Sequence, residues 1–250
     1  MSDHITVADQ GPIRIVRMNR PDKKNALTSS MYAAMANALE SANSHTGIRC
    51  VVIAGLPGAF SAGNDLVEFS EMAASGQGLA LPVVRFLHAL ARSERPLVAA
   101  VQGLAVGVGT TMLLHCDHVV AGSDARFSTP FVNLGLVPEA ASSLLAPRLM
   151  GHRRAFELLV MGRPLDATAA LTCGLVNAVV PPGDVEAEAM KAAQHIAALP
   201  AEAVATSRRL IRGSPDEIAA RIDDEVRLFK ERLQSAEAQS AFKAFLNRKR

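Results

Sequence analysis

The chain has 250 residues, 49% of them hydrophobic, and a formal net charge of +2, which suits one large domain or a domain with an appendage. So small a charge, with one Tyr and no Trp, excludes a basic, aromatic-interleaved nucleic-acid surface. The three cysteines, Cys50, Cys116 and Cys173, are odd in number and far apart, which argues against a disulfide framework and for a reducing compartment.

The first four residues lack the charged and apolar regions of a signal peptide, and Asn247-Arg248-Lys249-Arg250 is not a peroxisomal Ser-Lys-Leu tail, so a cytoplasmic location is expected. Residues 5–18 predict a β-hairpin around Asp9-Gln10-Gly11-Pro12, with Ile5/Val7 and Ile13/Ile15 alternating with polar residues. Asn19 to Leu27 is a polar, turn-rich loop holding Lys23 and Lys24. Thr28 can cap the next helix, whose buried face is marked by Met31, Met35 and Leu39. Cys50–Ala54 reads as a buried strand, followed by Gly58-Ala59-Phe60-Ser61-Ala62-Gly63-Asn64-Asp65-Leu66, a tight turn into a helix.

Ser70 to Pro82 reads as a mobile loop, and a helix is predicted from about Pro82 to Ser93. Leu97–Val101, Gly103–Gly109 and a helix-like run to His115 then repeat the strand–turn–helix layout. Leu97 to Leu114 is uncharged and long enough to span a bilayer, but Gln102, two threonines and three glycines fit a buried strand–turn–helix better, so no membrane span is expected. Short strands follow at His118–Ala121 and Arg126–Ser128, then an apolar loop from Thr129 to Ser143 whose one acid is Glu139. Asp166 can cap a helix ending at Gly174, and Val176–Val180 is a further strand. Beyond about Glu186 the pattern is helical. Ser214-Pro215-Asp216-Glu217 is a capping box opening a helix that buries Ile218, Ile222, Val226, Phe229 and Leu233, and a last helix carries Phe242, Phe245 and Leu246. The whole predicts an α/β core with an α-helical C-terminal module.

The two strand–turn–helix units are chemically suggestive. Small residues let a backbone approach a ligand, and a helix start leaves N–H groups free. Two such turns together can place two backbone donors on one oxygen, an oxyanion hole. Other motifs point less far. Gly107-Val108-Gly109 lacks the third glycine of a dinucleotide fingerprint, since Met112 stands there. His115-Cys116-Asp117-His118 has metal-ligating residue types, but neighbours at a helix-to-strand junction point different ways, and no metal is expected. No Gly-x-Ser-x-Gly elbow is present.

At Asn19-Arg20-Pro21 to Asn25-Ala26-Leu27, Phe60-Ser61-Ala62-Gly63-Asn64-Asp65-Leu66, Gln102-Gly103-Leu104-Ala105-Val106-Gly107 and Gly174-Leu175-Val176, the chain resembles the crotonase (enoyl-CoA hydratase/isomerase) superfamily. The likeness covers nearly the whole length. It implies a spiral of repeated ββα units over residues 1–195, a helical oligomerisation region over 196–250, and a homotrimer or dimer of trimers. It implies an acyl-CoA thioester substrate in fatty-acid β-oxidation and no separate cofactor. Matched position by position, it implies that the backbone N–H groups of Asn64 and Val108 form the oxyanion hole. Lys24, Ala26, Ala62, Gly63, Asp65 and Leu66 are implied to line the coenzyme A path. Lys243 and the Arg248-Lys249-Arg250 tail are further candidates for its phosphates.

Hydratases of the family carry two glutamates where this chain has Thr111 and Phe131. Glu139 instead matches the single catalytic Glu of the peroxisomal-type Δ3,Δ2-enoyl-CoA isomerases, in a similar Pro-Glu-small-small context. One carboxylate suffices to carry a proton from C2 to C4, whereas adding water usually calls for a second group. The apolar loop should raise the proton affinity of Glu139. Glu139 also admits a plain reading, as a surface acid near a helix start, and Asn64 as a helix cap. Phe69, Met72 and Phe131 are either acyl-pocket walls or core. Hydration or another enolate step on a specialised acyl-CoA is the first alternative function, and an acyl-CoA-binding scaffold the second.

Overall fold

The computed structural model of the chain describes residues 3–65, 67–69 and 79–247. Leu66, Met72, most of the Ser70–Pro82 segment and the basic tail lie outside them, as do the side chains of Lys243, Phe245 and Leu246. The hairpin forms as read, β1 (Ile5–Gln10) antiparallel to β2 (Ile13–Met18). Thr28 Oγ1 accepts from Met31 N and caps α1 (Ser29–Ser44). Beyond it the chain repeats one move. β3 (Cys50–Ala54), β5 (Leu97–Val101) and β7 (His118–Gly122) are each followed by a short strand: β4 (Ala59–Ser61), β6 (Leu104–Val106) and β8 (Arg126–Ser128).

One sheet is six-stranded, order β1-β2-β3-β5-β7-β10, with β10 at Ala178–Val180; apart from the antiparallel β1–β2 hairpin its strands pair in parallel. The short strands build a second, four-stranded sheet, order β4-β6-β8-β9, with β9 at Leu165–Asp166. Each turn of the chain thus adds one strand to each sheet. This corrects two expectations: neither Gly58 to Leu66 nor Gly103 to Gly109 is a single turn into a helix, because Ala59–Ser61 forms β4 and Leu104–Val106 forms β6. Three small or mixed residues carry little strand signal alone; pairing with Leu104 and Ala105 makes them a strand.

The uncharged runs of β3 and β5 are explained by burial on both faces. Val51, Ile53, Leu97, Ala99 and Val101 face the main core; Cys50, Val52, Ala54, Val98 and Ala100 meet Val185, Ala189, Ala193 and Ala197. Those last four come from α6 (Val185–Ala198). The other helices are α2 (Leu81–Ala91), one-turn α3 (Val108–Thr111), α4 (Ser142–Leu159, kinked at Gly151), α5 (Ala167–Thr172), α7 (Ala201–Arg212), α8 (Pro215–Leu233) and α9 (Ala236–Asn247). Asp166 Oδ1 accepts from Ala169 N and caps α5, as read.

The α8 start departs from a full capping box. Ser214 Oγ accepts from Asp216 N, while Glu217 pairs with Arg148 instead of reaching back to the cap. The α8 stripe packs as read: Ile218, Ile222, Phe229 and Leu233 are buried. Phe229 meets Phe69 edge-on with ring centroids 6.1 Å apart, and Phe69 lies 5.2 Å from Phe242. The C-terminal helices therefore close over the chain's own core. No helix among the described residues is long and apolar enough to cross a membrane.

Candidate active site

Two backbone turns meet at the carboxyl ends of β4 and β6. Leu27 N donates to Gly63 O at 2.7 Å and Asp65 N donates to Leu27 O at 2.9 Å. The Asn64 N–H lies between these bonds and takes no part in them, nor does it donate to any other described residue. On the other side, Gly107 N donates to Ser128 O, and the Gly107 carbonyl accepts from Thr110 N and Thr111 N. The Val108 N–H, at the first position of α3, has no helical partner and makes no other bond among the described residues. Gly63, at φ +85°, lets the two turns touch: a Cβ there would lie 2.9 Å from Val106 O. The Asn64 and Val108 amides, singled out by the family likeness, thus have no partner among the described residues.

Asn64 is not a helix cap. Its Oδ1 accepts from the Tyr32 hydroxyl at 2.5 Å, and the cap of residues 67–68 is Asp65, whose Oδ1 accepts from Val67 N and Glu68 N. Asp65 also receives Arg20 Nη1 at 2.6 Å. Burial pushes the Asp65 carboxyl up, but the Arg20 bond, the two N–H bonds and the Arg20 charge outweigh it and hold it below the usual range. With its N–H, its carboxylate and its carbonyl all engaged in the fold, Asp65 supports the turn, and it also walls the neighbouring cleft.

The opening loop is stapled to the same place. Asn25 Nδ2 donates to Ala59 O and Phe60 O, and Asn25 Oδ1 accepts from Arg20 N. Ala62 N donates to Lys24 O at 2.9 Å, and Ala26 O accepts from Arg20. Lys24 itself is exposed. Backbone bonds thus tie Lys24 to Ala62 and Leu27 to Gly63. A narrow cleft of about 50 Å³ is walled by Leu27, Tyr32, Asn64, Asp65, Glu68 and Phe69 among others.

Glu139 comes from the opposite side. It is 3% exposed, which removes the surface-acid reading. Its Oε1 accepts from the Thr111 hydroxyl, on the one-turn helix that starts at Val108. Thr111, the residue that holds the carboxylate, lies three residues, about 4.5 Å of axial rise, along the helix from Val108. Burial raises the Glu139 pKa to about 8, the Thr111 bond works against this, and the nearby Glu225 adds to it. No cation pairs with Glu139 among the described residues. The turn behind it is strained: Ala140 and Ala141 sit at φ +61° and +53°. His115 Nε2 donates to Ala140 O at 2.8 Å, while its Nδ1 faces Arg212. Burial and Arg212 hold His115 down to about 3, so it is a neutral donor.

The His115–His118 run is dispersed. Asp117 accepts from Leu97 N and Arg208, away from His115. Phe131 is core. The sequence reading missed three contributors, Thr111 as a donor to Glu139, Tyr32 and Glu225. Tyr32 stands three and seven residues before Met35 and Leu39, and Glu225 three after Ile222 and four before Phe229. Helical spacing alone marks both as inward-facing polar groups.

Two amides with no partner among the described residues, and a buried carboxylate with no cation paired to it there, are groups that can hold an oxygen gaining negative charge and move a proton. Comparison names the class of protein that carries them. A sequence profile described as enoyl-CoA hydratase/isomerase matches residues 9–250, and the chain belongs to that family. It is 35% identical over 254 residues to enoyl-CoA delta isomerase 2 of Rattus norvegicus, covering 99% of this chain and 64% of that protein. It is 33% identical to 4-chlorobenzoyl coenzyme A dehalogenase-2 of an Arthrobacter species, over 89% of this chain and 83% of that one. The structure of Pseudomonas aeruginosa OdaA superposes with a TM-score of 0.92 at 42% identity, covering 98% of this chain and 99% of that one. The chain spans just under two thirds of the rat protein's length.

Proposed function

We propose that this protein is an acyl-CoA enzyme that shifts a 3-enoyl-CoA double bond to the 2-position. The observation that carries the reading is a buried carboxylate with no cation paired to it among the described residues: Glu139 has a raised proton affinity, and Thr111 and Phe131 fill the places where a second acid would be expected. In its ionised form Glu139 removes a C2 proton. The thioester oxygen gains charge and is held by the Asn64 and Val108 N–H groups, each such donor contributing about 3 kcal/mol. The same carboxyl group then returns the proton to C4. No metal or redox group is needed for these steps. Lys24 lies toward the phosphates of coenzyme A, and the helices after residue 195 join the chain into a trimer or a dimer of trimers. Leu210 and Ile211, 79% and 88% exposed on α7, favour such a covered face.

The test uses three substrates and ultraviolet absorbance of the conjugated thioester. Conjugation appears from a 3-enoyl-CoA, and Glu139→Gln lowers the rate by about 10²–10⁴. Loss of conjugation from a 2-enoyl-CoA with little isomerisation would instead mean hydration. Chloride release from 4-chlorobenzoyl-CoA would move the assignment toward the dehalogenase-like relatives. Binding without turnover of any of them, unchanged in Glu139→Gln, would favour a scaffold.

A further inference from the structure

A second acid is buried behind the first. Glu225 lies on the inward face of α8 and is 4% exposed. Its Oε1 accepts from Ser143 N at 3.0 Å, and the Ala141 N–H and Ser143 hydroxyl are also turned toward it. Those groups belong to the start of α4, the helix that Glu139 precedes. α4 has no side-chain cap of its own, and its Ala141 cap residue is left-handed. We infer that Glu225 is a positioning residue for Glu139: from α8 it caps α4, holds the left-handed Ala140-Ala141 turn, and keeps a second negative charge beside the proton-carrying carboxylate. This inference rests on the reading of Glu139 as the proton shuttle.

The geometry decides which acid keeps its proton. Glu225 faces two N–H groups and a hydroxyl of the α4 start, with Arg221 one turn earlier on α8 donating to Ser143 Oγ at 3.1 Å. Glu139 faces Thr111 from α3, Tyr32 from α1 and, through the Ala140 carbonyl, the neutral His115. Donors and a nearby cation favour ionised Glu225, while Glu139 has one hydroxyl. Glu225 therefore ionises first, although burial raises its pKa too. Its Oε2 is buried with no hydrogen-bond partner among the described residues. A like charge so placed disfavours ionising Glu139 and makes it a stronger base than burial alone would. The same contacts fix where the Glu139 backbone leaves the loop. One side chain thus sets both the position and the basicity of another.

The test is a carboxyl titration by ¹³C NMR on protein labelled in its glutamates, with Glu139→Gln assigning the Glu139 signal. In Glu225→Gln the amide oxygen still accepts from Ser143 N but the charge is gone. The Glu139 midpoint is expected to fall by about one pH unit, and the acid limb of kcat/KM with a 3-enoyl-CoA to move with it. An unmoved midpoint in the folded variant overturns the inference. Should that variant not fold, the wild-type curve decides: the Glu139 signal carries a second inflection where Glu225 titrates, and a single-step curve overturns the inference. Undiminished isomerisation by Glu139→Gln would refute the catalytic reading, while the titration would still judge the coupling to Glu225.

Discussion

Asp65 and Glu139 are both buried acids at one site, 8% and 3% exposed, yet their proton affinities move in opposite directions. Asp65 receives a guanidinium at 2.6 Å and two backbone N–H groups. Glu139 receives one hydroxyl and has another carboxylate nearby. Burial opposes ionisation at both, so burial does not decide the outcome; the partners do. The fold gives a cation to the acid that holds the Asn64 turn and none, among the described residues, to the acid proposed to move a proton.

Breaking the paired side should cost the most. Arg20→Ala leaves Asp65 buried and uncompensated and frees the Ala26 carbonyl as well, so a loss of about 3–5 kcal/mol is expected in urea unfolding near pH 7. Asp65→Asn in the same background should recover part of it. The sign with pH is fixed by the lowered Asp65 pKa. Its contribution is present above the unfolded value, near 3.9, and is lost as pH falls through the lower folded value. The wild-type advantage over Arg20→Ala should therefore shrink below about pH 4. An advantage that persisted undiminished at pH 2 would show that the pair is not its source.

The unpaired side should run the other way, with a somewhat smaller effect. Glu139 binds its proton up to about pH 8 when folded but only to about 4.3 when unfolded. Folding therefore takes up a proton between those values, and stability declines as pH rises through the interval. Glu139→Gln removes this dependence. At pH 9 it should be more stable than wild type by on the order of a few kcal/mol, with little difference at pH 4. Parallel stability curves for the two proteins would place the Glu139 pKa near normal.

Much of this contrast is legible in the sequence, and unevenly. The Cys50–Ala54 and Leu97–Val101 strands are visible because burial on both faces leaves uncharged β-rich runs. Thr28 and Asp166 are visible because a cap is local chemistry. The apolar loop announces that Glu139 is in a water-poor place. β4 is not visible, because a pairing 45 residues away makes Ala59 a strand residue. Asp65 is a coenzyme A contact only by family likeness; its bond to Arg20, 45 residues earlier, appears only on folding. Glu225 hides in Asp223-Asp224-Glu225, a run that looks like solvated charge until Ile222 and Phe229 are placed on the same helical face.

The turns that hold the two amides can be tested separately from the acids. Gly63→Ala forces a side chain into a left-handed position and brings Cβ to 2.9 Å from Val106 O. A stability loss of about 1–2 kcal/mol is expected, together with a fall in kcat/KM larger than stability explains, because the Asn64 and Val108 turns must separate. Full activity in a folded Gly63→Ala protein would mean that the spacing of those turns is not what the reaction uses.

The smallest expected effect sharpens the comparison most. Thr111→Val keeps the side-chain shape and removes the one hydrogen-bond donor that Glu139 has. That bond favours the ionised form and works against burial. Its loss should raise the Glu139 pKa further, by about 1 kcal/mol or somewhat under one pH unit. The acid limb of the pH–rate profile then moves up, so the variant is slower at pH 7 and approaches wild type at high pH. Melting temperature at pH 6, where Glu139 is protonated in both proteins, should change little. A limb that moved down would mean that the hydroxyl accepts from a protonated Glu139 rather than donating to the carboxylate. The difference between Asp65 and Glu139 would then rest on Arg20 and Glu225 alone.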